Sequence, residues 1–214
     1  KNKKDMSLAW IDYQKVFDSM PHSWILRALE NVGVHEKVVE ATRKMMKHWS
    51  THIHLRAEGK SITTGEIRIR RGIFQGDSFS PLLFCVGLIP LSIRLNEQKA
   101  GYDLQEGSKQ LTHLLYMDDL KLFSRNERKL ERQLNLVKEC SDDINMKFGL
   151  DKCAKVTLHK GKYVRAENID LDMNTSIREL EPEEPYKYLG IEECVGVKHK
   201  QMKEKVKNEY VRRI

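Results

Sequence analysis

Three aspartates stand where a carboxylate is costly. Asp12 interrupts Ser7 to Tyr13, an apolar, aromatic-rich run with the composition of a buried strand. Asp118 and Asp119 sit side by side between Tyr116, Met117 and Leu120. Gathered on an apolar platform, such groups repel: their pKa values rise, or the fold loses stability, unless a divalent cation neutralises them. Hard oxygen donors suit magnesium, which takes one or two carboxylates and fills its octahedron with water and substrate phosphate. Two such ions about 3.5–4 Å apart can activate a hydroxyl and stabilise the leaving oxygen of an in-line displacement. An Asp pair alone is more often a turn or a helix cap, so the elements around it must decide.

Those elements follow from where the apolar period changes. Ser7 to Tyr13 reads as a strand, and Pro21-His22-Ser23 opens a helix to about Asn31. Glu36 to Trp49 repeats Val38, Val39, Met45 and Met46 as a second helix would. Thr51 to Ala57 and Ile62 to Arg70 are β-rich runs around Glu58-Gly59-Lys60, a plausible hairpin turn. Pro81 to Leu95 has the length and apolarity of a buried helix, with Pro90 expected to kink or interrupt it. Leu111 to Ser124 places two apolar arms around the Asp pair, which predicts a tight hairpin whose turn carries Asp118 and Asp119. Glu127 to Met146 is an amphipathic helix through Leu130, Leu134, Val137 and Ile144. Strands resume at Lys155 to His159 and Tyr186 to Ile191, and a basic, helix-like stretch covers Lys198 to Arg213.

Composition narrows the class. At 214 residues the chain can bury a real core without disulfide or metal staples. Cys85, Cys140, Cys153 and Cys194 are far apart and form no CxxC pair, which argues against a zinc ribbon or a secreted disulfide framework and favours a reducing compartment. No apolar run is long enough to span a bilayer, so no membrane partner is expected. A net charge of +7 suits a polyanionic partner without requiring one. His52 and His54 alternate in a β-rich run but lack a Cys or carboxylate at ligand spacing, so they read as a polar strand face. The start, KNKKDMSLAW, has no initiator Met or leader core, and the chain is expected to begin inside a longer protein.

Order along the chain adds specificity. The segments AWIDYQKVFDSMPHSWI, RGIFQGDSFSPLLFCVGLIPLS, LLYMDDLKLFS, FGLDKCAKV and YKYLGI occur in succession. In that order they resemble the five palm motifs of the reverse transcriptase domain of non-LTR (LINE-like) retrotransposons, over nearly all of Ala9 to Ile191. Within that family the IDYQKVFDSMPHSWI, LLYMDD and FGLDKC blocks are similar to site-specific elements with one reading frame and a restriction-like endonuclease.

The resemblance implies an α+β fold, a right-hand polymerase palm of antiparallel sheet backed by helices, with parts of fingers and the start of a thumb. It places the palm with partial fingers in residues 1–191 and a basic connector in 192–214. Asp12 and Asp118 would be the principal ligands of two Mg2+ ions, the Tyr13 carbonyl an added one, and Asp119 the second acid of the turn. The implied reaction is attack of a DNA primer 3′-hydroxyl on the α-phosphate of a dNTP, directed by an RNA template, where positioning and charge neutralisation do most of the catalysis. Phe17 matches the bulky aromatic that rejects a ribose 2′-hydroxyl. Gln75 and Gly76 match the segment that approaches the nascent base pair, and Lys152 the lysine that protonates or neutralises the leaving pyrophosphate. Tyr188, Leu189 and Gly190 match the primer-gripping turn.

Two positions depart from the pattern: Val16, where alanine is commoner and extra methyls could crowd a nucleotide pocket, and Phe79, where a smaller apolar residue is usual. Only eleven residues precede Asp12 and about 23 follow Ile191, leaving little of the fingers and thumb that grip substrate. Weak or no polymerisation is therefore expected of this chain alone, and nuclear action is expected from retrotransposition. The competing readings are a non-catalytic nucleic-acid-binding remnant, whose binding falls steeply with salt, and a helical protein-interaction module built on Glu127 to Met146.

Overall fold

The computed structural model describes residues 4–57, 59–104, 110–193 and 199–213. They divide into two compact units, residues 1–13, 94–138 and 148–214 in one and residues 14–93 and 139–147 in the other.

The first unit is organised by the central strand Met6–Ile11. It is buried because Leu8, Ala9, Trp10 and Ile11 are apolar on both faces, as a middle strand requires. Antiparallel neighbours flank it: Asp119–Ser124, with Ile11 opposite Leu120 and Trp10 opposite Lys121, and Ala154–His159, with Ala9 opposite Lys155. The sheet runs Ile169–Asp172, Thr175–Glu179, Ala154–His159, Met6–Ile11, Asp119–Ser124, His113–Tyr116, with Lys162–Tyr163 beside Ala154–His159. All pairs are antiparallel except Ala154–His159 with Thr175–Glu179, so the sheet is mixed.

Strand alternation then assigns the faces. On one, Leu8, Trp10, Ala154 and Val156 form a core cluster with Leu180 and Tyr188, and Trp10 stacks on Tyr186 at 4.7 Å. On the other, Ala9, Ile11, Leu120, Leu122 and Lys155 are almost fully buried. The amphipathic helix Glu127–Asp143 starts with Asn126 accepting the Lys129 N–H at 3.0 Å. Its buried Gln133 accepts from the Ser124 hydroxyl and donates to the Thr112 carbonyl at 3.2 Å, which keeps two internal polar groups satisfied.

The second unit pairs helices His22–Asn31 and Glu36–Lys47, burying Ile25, Leu26, Ala28 and Leu29 on one and Val39, Thr42 and Met46 on the other. Beyond them lie two short ladders, Ser50–Thr51 with Ile67–Arg68 and His54–Ala57 with Lys60–Thr63. The expected single long hairpin is thus broken in two. His52 falls in the break, its Nδ1 3.2 Å from the Thr64 carbonyl, and His54 Nδ1 is 2.8 Å from the Thr63 hydroxyl; both are exposed, as a polar face should be.

Other sequence expectations are redrawn. Helix Ser80–Glu97 runs through Pro90 without interruption, since one missing N–H is a small loss beside the burial of Leu83, Phe84, Leu88, Leu91 and Leu95. Tyr186 to Ile191 is a tight hairpin, not one strand: Tyr188 pairs with Ile191 around Leu189 and Gly190, both at positive φ. Cys194 lies outside the described residues, and among these no helix is long and apolar enough to cross a membrane.

Candidate active site

The three aspartates of the sequence come together by strand register. Asp12 follows directly on Ile11, whose partner is Leu120, so Asp12 and Asp119 stand one step beyond the last pair of that ladder. Tyr116 pairs with Asp119, leaving Met117 and Asp118 as the two-residue turn. Only Asp118 is therefore in the turn. Asp119 begins the return strand, which corrects the expectation that the turn carries both. Met117 takes φ 54°, the left-handed value a tight hairpin demands of its first turn residue.

Electrostatics report the convergence. Burial raises the Asp12 carboxyl above its usual range, the Lys152 ammonium opposes this, and the charges of Asp118 and Asp151 reinforce it. Asp119 is raised by burial and then by Asp118 and Asp12, again against Lys152. The three acids share one field, with a lysine as their counter-charge. Lys152 Nζ lies 3.5 Å from Asp12 Oδ2 and is largely exposed.

The loop carrying Lys152 also fixes Asp12. The Gly149 N–H donates to the Asp12 carbonyl at 2.8 Å, and the Asp12 N–H points at the Cys153 sulfur at 3.4 Å. Cys153 is fully buried, and burial pushes its thiol up to about 11. Neither Gly149 nor Cys153 stands out in the sequence; the signal available was their adjacency to Lys152 in FGLDKC. Tyr13 is buried, its ring edge-on to Phe148 at 5.5 Å.

The Tyr186–Tyr188 hairpin belongs to the same neighbourhood. Tyr186 is raised by burial and then by Cys153, Asp12 and Asp119; Tyr188 by burial, Asp119 and Glu193. Tyr188 is buried, whereas Leu189 and Gly190 are exposed at the tip.

The carboxylate oxygens are the donor class a hard divalent cation takes, and a cation would offset the burial, and the added acid–acid repulsion, that raise Asp12 and Asp119. Among the described residues, however, no three His, Cys, Asp or Glu side chains are closed into a ready-made cage. The expected two-ion centre at Asp12, Tyr13 and Asp118 is thus not present as a preformed cluster among the described residues.

The remaining expected residues lie in the second unit. Phe17 sits on the short helix Val16–Ser19, half-buried and stacked on Phe84 at 5.1 Å, and its carbonyl accepts the Ile73 N–H at 2.8 Å. Val16 is 6% exposed, so its extra methyls are absorbed by core packing. Gln75 and Gly76 are exposed on the loop that follows, with Gly76 at φ 88° and open space where a Cβ would be.

Residues 1–192 match the family described as "Reverse transcriptase (RNA-dependent DNA polymerase)". The chain belongs to the reverse transcriptase family. The Pol polyprotein of type-1 retrotransposable element R2 from Popillia japonica is 29% identical over 156 residues, covering 72% of this chain and 25% of that protein. Its counterpart from Nasonia vitripennis is 28% identical over 194 residues, 88% of this chain and 18% of that protein. The chain spans a quarter or less of these relatives. In fold it is similar to apo telomerase from Candida tropicalis, with a TM-score of 0.60 at 10% identity over 91% of this chain and 32% of that one. The mixed sheet with its helices is accordingly a reverse transcriptase palm.

Proposed function

We propose that this domain performs RNA-directed DNA synthesis within a longer non-LTR retrotransposon protein. The observation that carries the reading is the shared field of Asp12, Asp118 and Asp119 with Lys152 at its edge. Asp12 and Asp118, with the Tyr13 backbone carbonyl, would hold two magnesium ions, and Asp119 would add charge beside them. The ions, when bound, supply the positive charge that aligns a primer 3′-hydroxyl with the α-phosphate of a dNTP. Lys152, beside Asp12, meets the leaving pyrophosphate and protonates it or neutralises its charge. Phe17 excludes the ribose 2′-hydroxyl, Gln75 and Gly76 approach the nascent pair, and Tyr188, Leu189 and Gly190 hold the primer end. RNA is the template and DNA the primer.

The finer reading, a site-specific element with a restriction-like endonuclease acting in the nucleus, is supported by the motif likeness and the R2 relatives. The test is primer extension on RNA by the parent protein. Magnesium-dependent synthesis is expected to fall at least about a hundredfold in Asp118→Asn, roughly 3 kcal/mol of barrier. Near-normal activity in that variant refutes the ligand assignment.

A second reading, a nucleic-acid-binding remnant, is favoured by the lack of a closed cation cage among the described residues and by the net charge of +7. Steeply salt-dependent RNA binding without metal-dependent synthesis in the parent would select it.

A further inference from the structure

The Asp12 carboxylate has a neighbour with no side chain at all. A Cβ built on Gly149 would stand 2.5 Å from Asp12 Oδ2 and 3.5 Å from its Cγ. Real carbon–oxygen contacts do not reach 2.5 Å, so any residue larger than glycine at 149 must turn this carboxylate away. The atom displaced is the free end of a side chain rather than backbone, so the fold can yield there cheaply while the acid cannot stay in place. Gly149 is not at a positive φ, which leaves steric clearance for Asp12 as the reason glycine is needed.

Backbone contacts hold the other end of the same residue. The Asp12 carbonyl accepts the Gly149 N–H at 2.8 Å and lies 3.6 Å from the Cys153 thiol, which donates to it. The Asp12 N–H donates to the same sulfur at 3.4 Å. Cys153 is fully buried between these two groups. Alanine there would strip the Asp12 N–H of its acceptor, whereas serine keeps a donor and an acceptor on a shorter arm.

We infer that Gly149 and Cys153 are positioning residues for Asp12: the cysteine fixes its backbone and the glycine leaves the space that sets the direction of its carboxylate. The inference rests on the reading of Asp12 as a ligand, and it locates the control of that ligand in the loop after Phe148, outside the strand that bears the acid.

The test uses this chain with Mn2+ as probe, read by water-proton relaxation, beside thermal unfolding and the carboxyl 13C resonance of Asp12. Gly149→Ala is expected to unfold within about 3 °C of the unmodified chain yet bind Mn2+ at least tenfold more weakly and shift the Asp12 carboxyl resonance. Cys153→Ala is expected to move the Asp12 amide resonance and weaken Mn2+ binding, with Cys153→Ser restoring most of both. Unchanged Mn2+ affinity and an unmoved Asp12 resonance in Gly149→Ala overturn the inference. If the unmodified chain binds no more Mn2+ than Asp12→Asn, the ligand reading fails by itself. The Asp12 resonances then decide the positioning role, in favour if they move in both Gly149→Ala and Cys153→Ala and against if they do not.

Discussion

Lys121 and Trp10 stand directly opposite each other on neighbouring strands, with the Lys121 ammonium 5.0 Å from the indole centroid. The same ammonium lies 5.3 Å from the Tyr188 ring and 5.4 Å from Phe123, and it pairs with the Glu193 carboxylate. Trp10 Nε1 donates to that carboxylate at 3.0 Å. A lysine only 8% exposed is thus held by three rings and one acid, and it ties the Tyr186–Tyr188 hairpin to the sheet that carries Asp12 and Asp119. Removing the ammonium leaves a part-buried carboxylate with one neutral donor. Lys121→Met is expected to destabilise the fold by about 2–4 kcal/mol, and adding Glu193→Gln should return at least half of that. Urea unfolding of the two single variants and the double measures the coupling. Strict additivity would mean that the pair does not tie hairpin to sheet.

Lys155 is the second internal cation. It is wholly buried, with Nζ 2.6 Å from Glu127 and 2.5 Å from Glu179. Glu179 also accepts the Thr157 N–H at 3.3 Å, and burial nevertheless holds its carboxyl above the usual range. Lys155→Met is expected to cost about 3–5 kcal/mol, because an uncompensated acid remains inside. The raised Glu179 disfavours the charged form in the fold, so its contribution is full below 4.5 and is lost as pH rises through the folded value. Lys155→Met should steepen that loss between pH 4 and 7, and guanidinium midpoints across the range test it.

Gly72 and Gly76 both take positive φ, 85° and 88°, yet their surroundings differ. A Cβ on Gly72 would meet the Asp18 Cα and carbonyl at 3.0 Å, whereas one on Gly76 would meet nothing within 4 Å. Gly76→Ala should cost only the left-handed penalty, about 1–2 kcal/mol. Gly72→Ala adds a backbone clash and should lose at least about 1 kcal/mol more. Equal unfolding midpoints for the two variants would contradict the packing of Gly72 on Asp18.

His113 supplies a pH signature on the acid side. Burial holds its imidazole below the ordinary value of 6.5, so the folded chain favours the neutral ring. The unfolded chain takes up a proton first as pH falls. The stabilisation is complete above 6.5 and is lost as pH drops through the folded value. His113→Gln should flatten the decline in urea midpoint between pH 7 and pH 5. A decline of the same slope in that variant would assign the acid sensitivity elsewhere.

Much of this was legible in the residues. Apolar runs and their periods located the strand within Ser7 to Tyr13, helices near His22, Glu36, Pro81 and Glu127, and two strand arms around the Asp118-Asp119 pair. Strand pairs remote in sequence were harder. Ile169–Asp172 and Thr175–Glu179 are short and mostly polar, so period alone could not flag them, and the parallel pairing of Ala154–His159 with Thr175–Glu179 has no local signature. Tyr186 to Ile191 read as one strand because its turn uses Leu189, a residue that rarely adopts φ 49°.

The sequence by itself determined which side chains could carry the chemistry, since residue type and order are covalent facts: the acids at 12, 118 and 119, the lysine at 152, the aromatic at 17. Tertiary structure alone decided how Asp12 is held. The groups that do so, Gly149 and Cys153, lie more than a hundred residues away and are chemically bland, one lacking a side chain and the other a buried neutral thiol. Clearance and backbone hydrogen bonding are properties of distances between atoms, and only the folded sheet, by setting Met6–Ile11 against Ala154–His159, creates those distances.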